Sequence, residues 1–332
     1  MKKFFVVLAV AATMMSCFSS EFTPSTAIKF DAAVKSSSTR ATDPAITSSN
    51  IDKFDVWAFM NEPSGIVFNQ QRVTKVNGAW TYSPLAFWNP GSTYYYFTAL
   101  APVDCSNIEI TLANAAVGQI SKEGLGSVTF TNVDGSHDLI YAAPTTYVTP
   151  ATVEEMATMP LVGLNFKHLL SKVRFSFKNM FLNNETLVVS DIKMTAKNKA
   201  SIDLTQSTYS WVFDAAAQDV VLNFGDAKAA QNFEIGQVAS CDINCLTIPA
   251  DNTKEYAVTF NVTVYHGDQA GAPIAVSTTI KNVEFKIGTQ YNFTVELSGD
   301  AMGLKPIVFG DPIVEEWVTD TNPEQEKPLP LQ

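Results

Sequence analysis

The sequence has 332 residues, enough for about two domains at roughly 150 residues each. Its formal net charge of −11, from 22 basic and 33 acidic side chains, excludes a surface built for nucleic acid or for anionic lipid. A hydrophobic share of 46% with 17% charge is that of a globular chain, while three histidines and four cysteines are too few for a His-rich metal centre or a disulfide scaffold.

The chain starts as an address. Met1, Lys2 and Lys3 are followed by residues 4–15, apolar except for Thr13. That run is too short to span a bilayer and suits the apolar core of a signal peptide. It ends at Met14-Met15-Ser16-Cys17, where a small residue directly before a cysteine resembles a bacterial lipobox, with Met14 in the place where Leu is commonest. On that reading residues 1–16 are removed, Cys17 becomes the lipidated first residue, and the lipid is the membrane anchor. The alternative is an ordinary signal peptide cut near Ser16, with Cys17 a stray thiol.

Residues 18–27 read as a tether. Ile28, Phe30 and Val34 then share one parity, the pattern of a half-buried strand. A polar loop over 36–44 follows, carrying Arg40 and Ala41; loops of this composition are exposed and open to proteolysis. Phe54, Val56 and Ala58 alternate with Asp55, Trp57 and Phe59, so both faces of that strand are largely apolar. Asn77-Gly78 sits between two alternating runs, predicting a hairpin with a type I′ turn, in which both central residues take positive φ. Asn89-Pro90-Gly91 turns the chain into a strand at 94–100, and further strands are predicted at 108–112, 128–133 and 139–142.

A Pro/Thr-rich stretch over 143–160 is the expected domain boundary. Beyond it strands are predicted at 187–195, 220–224 and 246–248. The longest alternation is Tyr256, Val258, Phe260, Val262 and Val264, repeated by Tyr291, Phe293, Val295 and Leu297 after Gly288. Only 153–157 and 168–173 qualify as helix candidates. The absence of a βαβ pattern excludes Rossmann and TIM-barrel folds. The expected fold is all-β, two tandem antiparallel β-sandwich domains over 41–150 and 160–332 with few short helices.

Catalytic and cofactor motifs are missing, so neither an enzyme nor a bound cofactor or metal is expected. Gly124-Leu125-Gly126 lacks the remainder of a dinucleotide or P-loop pattern and reads as a turn. His168, beside Leu169 and Leu170, reads as a packed structural residue, and His137 with Asp138 as a loop pair. Cys105, Cys241 and Cys245 read as buried small hydrophobes. On one strand Cys241 and Cys245 would lie roughly 13 Å apart, beyond disulfide reach, and only a turn between them would allow a bridge. Trp80, Tyr82, Trp88 and Tyr94 to Tyr96 are either core and cross-strand packing, the stronger reading, or a sugar-stacking surface. A glycosidase on this scaffold would need two carboxylates facing one cleft.

Four stretches together resemble one family. They are Ile28-Lys-Phe-Asp with Thr39-Arg40-Ala41; Trp88-Asn-Pro-Gly through Tyr94-Tyr95-Tyr96-Phe97 to Pro102; Asp138-Leu-Ile-Tyr-Ala142 with Leu164-Asn-Phe-Lys-His168; and Gly288-Thr-Gln-Tyr291 with Trp317. In this order and spacing the chain resembles the fimbrillins of Bacteroidetes, the type V or Mfa-like pilins. The resemblance implies transthyretin-like β-sandwiches and a precursor carried to the outer membrane as a lipoprotein. It implies that an Arg-specific protease cuts after Arg40, leaves Ala41 as the new N-terminus, and frees residues 17–40 with the first strand. Ile28, Phe30 and Val34 would be the knobs that hold the groove shut until a strand from another fimbrial subunit fills it. The partners implied are other fimbrial subunits, the maturation protease, the outer membrane through the lipid, and a host protein or glycan in adhesion. Anchor-type members keep their first strand, and Arg40 could also be an ordinary solvated loop residue. The alternative function is a non-polymerising surface lipoprotein or fimbrial tip that binds glycan or host protein. The tail over 319–332 carries Pro323, Pro328 and Pro330, which makes it a poor donor strand. A donor within 307–317 is left, and if it is locked into its own domain the protein is a terminal subunit.

Overall fold

Side chains that alternate with period two make strands that bury one face, and strands dominate this chain. The computed structural model describes residues 26–34, 44–61, 64–181, 185–227, 233–249, 255–299, 307, 309 and 311–316. The expected sites Cys17, Arg40, Ala41 and Trp317, and the tail over 319–332, lie outside the described residues.

The first half runs β1 (Phe30–Val34), β2 (Lys53–Asn61), β3 (Ser64–Val76), β4 (Ala79–Thr81), β5 (Tyr94–Ala101), β6 (Ile108–Leu112), β7 (Gly126–Thr131), β8 (Ile140–Val148) and β9 (Val162–His168). There follow β10 (Ser171–Asn179), β11 (Thr186–Lys197), β12 (Lys199–Asp203), β13 (Trp211–Phe213), β14 (Asp219–Ala227), β15 (Val238–Ser240) and β16 (Cys245–Thr247). The last are β17 (Glu255–His266), β18 (Gln269–Ala270), β19 (Ile274–Lys281), β20 (Thr289–Leu297) and β21 (Ile313–Glu316).

A seven-stranded sheet in the order β1-β9-β8-β5-β2-β3-β4 is antiparallel except where β1 lies parallel to β9. One face holds a core of Phe54, Phe68, Trp88, Tyr95, Phe97 and Phe166. Its other face, through Trp57, Leu100 and Tyr141, meets a four-stranded sheet, β13-β12-β7-β6, whose Phe130, Ile202 and Trp211 complete a second core. The C-terminal part is a sandwich of two five-stranded sheets, one centred on β10 and β20, the other on β11 and β17. Phe175, Phe177 and Phe293 from the first pack with Phe224, Val258 and Phe260 from the second.

Sheet pairing crosses the stretch expected to separate the domains. Strand β9 lies beyond residue 160, yet it sits between β1 and β8 in the first sheet. The four-stranded sheet joins β6 and β7 to β12 and β13 from further along the chain. Both helix candidates need correction. Residues 154–158 form a 3₁₀ helix with only Met156 buried. Residues 168–173 are the end of β9 and the start of β10, because their apolar run is buried between sheets. Asn77 and Gly78 have φ of 50° and 82°, as a type I′ turn requires. At Gly126 a Cβ would run into the Thr111 carbonyl, and at Gly124 into that of Leu204, so this pair of glycines serves close backbone packing.

Candidate functional site: the seat of the first strand

The first strand is seated by burial, ladder bonds and two side-chain clamps. Ile28 is 0% exposed, Phe30 4% and Val34 2%, while Lys29 and Asp31 between them face solvent. Phe30 lies among Phe54, Phe68, Tyr82 and Phe97, with ring centroids 5.6 to 6.2 Å away. The pairs with Phe54, Tyr82 and Phe97 are edge-to-face, which sets positive ring edges against negative faces and adds to the burial term.

The backbone of the segment is tied at both ends. Residues 26–28 run beside 86–88: Ile28 N donates to Ala86 O at 3.0 Å and Trp88 N to Thr26 O at 3.2 Å. From Phe30 onward the strand pairs parallel with β9, Phe30 opposite Val162 and Val34 opposite Phe166. Val162 N donates to Lys29 O at 2.7 Å. The Tyr82 hydroxyl donates to Ile28 O at 2.7 Å. At the far end Ser48 makes a two-way clasp, accepting from Val34 N at 2.8 Å and donating to Val34 O at 3.0 Å. Thus the two sides of the Arg40 loop, residues 34 and 48, are joined by hydrogen bonds as well as by the chain. Burial pushes the Tyr82 and Tyr95 phenols above their ordinary pKa, which keeps both neutral and Tyr82 able to donate.

A buried polar knot fixes the chain just after that loop. Asp138 Oδ2 accepts from Ile46 N at 2.8 Å and lies 2.8 Å from His168 Nδ1, and its Oδ1 accepts from Leu139 N at 2.8 Å. The Asp138 and His168 side chains are both fully buried. His137 is not the partner of Asp138, as its sequence position suggested. Its Nδ1 lies 3.1 Å from Ser136 Oγ and 3.6 Å from Asp134, on the surface. The reason is parity: successive residues point opposite ways as the chain enters β8, so Asp138 turns inward where His137 turns out.

The aromatics divide in the same way. Trp88 and Tyr95 are fully buried; Trp80, Tyr82 and Tyr96 are half-buried, and Tyr94 is exposed. Cys241 and Cys245 are buried in the C-terminal core, and burial holds the Cys245 thiol well above its ordinary pKa. At the other end of the chain, Ile307 and Phe309 are buried in that same core, 7% and 8% exposed. Phe309 packs on Phe175 at 5.3 Å, and Thr278 Oγ1 donates to Ile307 O. Strand β21 follows as an edge strand on β20, with Ile313 and Val314 both 53% exposed.

Sequence reasoning missed Thr26, Ser48 and Tyr82 as holders of the first segment, and Asp138 as the anchor of Ile46 beyond the loop. Ser48 and Asp138 carry no local signal, since their partners lie 14 and 92 residues away. Tyr82 did carry one, sharing parity with Trp80 two residues earlier on the second arm of the hairpin.

Comparison with known proteins agrees with this architecture. A fimbrillin-like family model matches residues 39–317. No curated protein matches the chain. Among solved structures, a fimbrial protein from Bacteroides vulgatus is 15% identical, with a TM-score of 0.52 over 88% of this chain and 99% of that one. A candidate cell adhesion protein from Bacteroides ovatus is 16% identical, with a TM-score of 0.50 over 89% of this chain and 99% of that one. At such identity these two likenesses speak for the fold alone. The family match spans most of the chain, and with it the chain belongs to the fimbrillin-like family, structural and non-enzymatic proteins of the cell surface.

Proposed function

We propose that the chain is a fimbrial subunit precursor that is exported as a lipoprotein on Cys17, cut after Arg40 by an Arg-specific protease, and assembled by strand exchange in support of adhesion. The observation that carries this reading is the seat of β1. It is a short edge strand that fills an aromatic groove with Ile28, Phe30 and Val34 and covers the edge of β9. Withdrawing it would leave a row of unpaired N–H and C=O groups beside an apolar slot. An exposed edge of that kind is ordinarily a liability. Here it would accept an extended strand from another subunit, with main-chain bonds supplying affinity and alternate pockets supplying register. The position of Arg40, between the clasped residues Val34 and Ser48, fits a cut that severs the covalent tie and leaves only the seat to hold the strand.

A second reading rests on Ile307 and Phe309. Their burial in the chain's own C-terminal core favours a terminal or non-polymerising subunit, a surface lipoprotein or tip that binds glycan or host protein. One experiment separates the two. The purified precursor is digested with an Arg-specific protease and followed by N-terminal sequencing and native size, with R40A as control. A new N-terminus at Ala41 followed by ladders supports the polymerising subunit. A cut that yields only stable monomer supports the terminal one. Resistance of the parent chain at Arg40 refutes cleavage at that site.

A further inference from the structure

The two free edges of the seven-stranded sheet, β1 and β4, are not bonded to one another, yet both line one cleft of about 350 Å³. That volume falls within the range of small-ligand sites. Lys29, Phe30 and Asp31 come from the first segment, Lys75 and Trp80 from the β3–β4 hairpin, and Leu161 from the turn before β9. Lys75 Nζ lies 5.2 Å from the centre of the Trp80 ring, and that ring also packs on the buried Phe54 at 4.9 Å. Among the described residues no carboxylate stands within ion-pair distance of Lys29 or Lys75. In a chain of net charge −11, two such ammonium groups against a single carboxylate make a locally cationic hollow with an indole in its wall.

We infer that this cleft binds an acidic sugar, a single pyranose ring that carries a carboxylate, such as a hexuronate. The parts match that chemistry one by one. The two ammonium groups take the carboxylate, the Asp31 carboxylate accepts from ring hydroxyls, and the flat indole takes the apolar C–H face of the pyranose. Lys75 now occupies the ring as a cation held by its quadrupole; a ligand carboxylate draws it off and exposes the platform. A neutral hexose leaves both lysines unanswered, and a small carboxylate leaves the indole covered by Lys75. Selectivity therefore requires both halves of the ligand. The inference gives the glycan-binding reading above a ligand class. It rests on the cleft and not on strand exchange, so the uncut chain is the material to test. Because Lys29, Phe30 and Asp31 belong to the first segment, any processing that withdraws that segment also dismantles the site.

The test is an NMR titration of the full chain, read at the Trp80 indole N–H, with glucuronate, glucose and acetate as probes. Glucuronate is expected to saturate with Kd on the order of 1 mM, the level set by a ligand of about a dozen heavy atoms. Glucose and acetate are expected to bind about tenfold more weakly or worse, and the K29Q/K75Q double variant is expected to lose about tenfold for glucuronate. Both lysines reach solvent, so the double variant keeps the fold. As an independent measurement on the parent chain, raising ionic strength to about 0.5 M weakens glucuronate several-fold by screening the pair. The inference is overturned if glucuronate fails to saturate at ten times the expected Kd, if glucose or acetate matches it, or if neither charge removal nor salt changes its affinity.

Discussion

Replacing Phe30 with Ala should unseat the first strand without touching the rest of the sheet. Phe30 is 4% exposed and meets the rings of Phe54, Phe68, Tyr82 and Phe97. A buried Phe→Ala change costs about 3–5 kcal/mol, the sum of lost transfer energy and a residual cavity. Strand β1 lies at a sheet edge, so its neighbours relax into part of the space and the lower end, about 3 kcal/mol, is expected. That is roughly a hundredfold in the balance between seated and unseated strand. The assay is a guanidinium titration followed by tryptophan fluorescence, since Trp80 and Trp88 pack against the same core. D31N is the control, because Asp31 points to solvent on the opposite parity and such surface changes stay within about 0.5 kcal/mol. If F30A loses less than about 1 kcal/mol, or D31N loses as much as F30A, then the groove is not what holds the strand.

Further expectations concern the clamps. S48A removes both hydrogen bonds to Val34 and should destabilise the seat by about 1–2 kcal/mol, seen as faster amide exchange at Val34 with β8 unchanged. Tyr82 supplies a pH dependence. Its folded pKa is raised by burial, so its contribution is complete below the ordinary phenol value near 10 and is lost as pH rises through the higher folded value. A phenolate cannot donate to Ile28 O, so β1 should loosen in strong alkali; Y82F, costing about 1 kcal/mol at neutral pH, should flatten that slope. D138A removes the acceptor of the part-buried Ile46 N–H and the carboxylate partner of the buried His168 ring, and should cost about 2–4 kcal/mol in a thermal or denaturant melt. A melt within error of the parent chain would remove Asp138 from the set of anchors.

Much of the local order was legible in the residues. Ile28, Phe30 and Val34, the Asn77-Gly78 hairpin, and the long alternation of β17 and β20 are statements about neighbours in the chain, and period-two burial or a positive φ writes them directly into sequence. The same is true of the family resemblance, carried by short stretches in a fixed order. What could not be read was which strand lies beside which. The parallel pairing of β1 with β9 spans some 130 residues, as Phe30 opposite Val162 shows. The union of β6 and β7 with β12 crosses the stretch that looked like a boundary, and residues 168–173 resembled a helix until two sheets buried them. The Ser48 clasp, the Asp138–His168 knot and the β1–β4 cleft arise only where distant strands meet. Alternation tells a strand which face to hide; it does not name the partner, because one apolar face packs on another with little directional preference. That choice belongs to the tertiary structure, where close packing and the pairing of every buried polar group admit few arrangements.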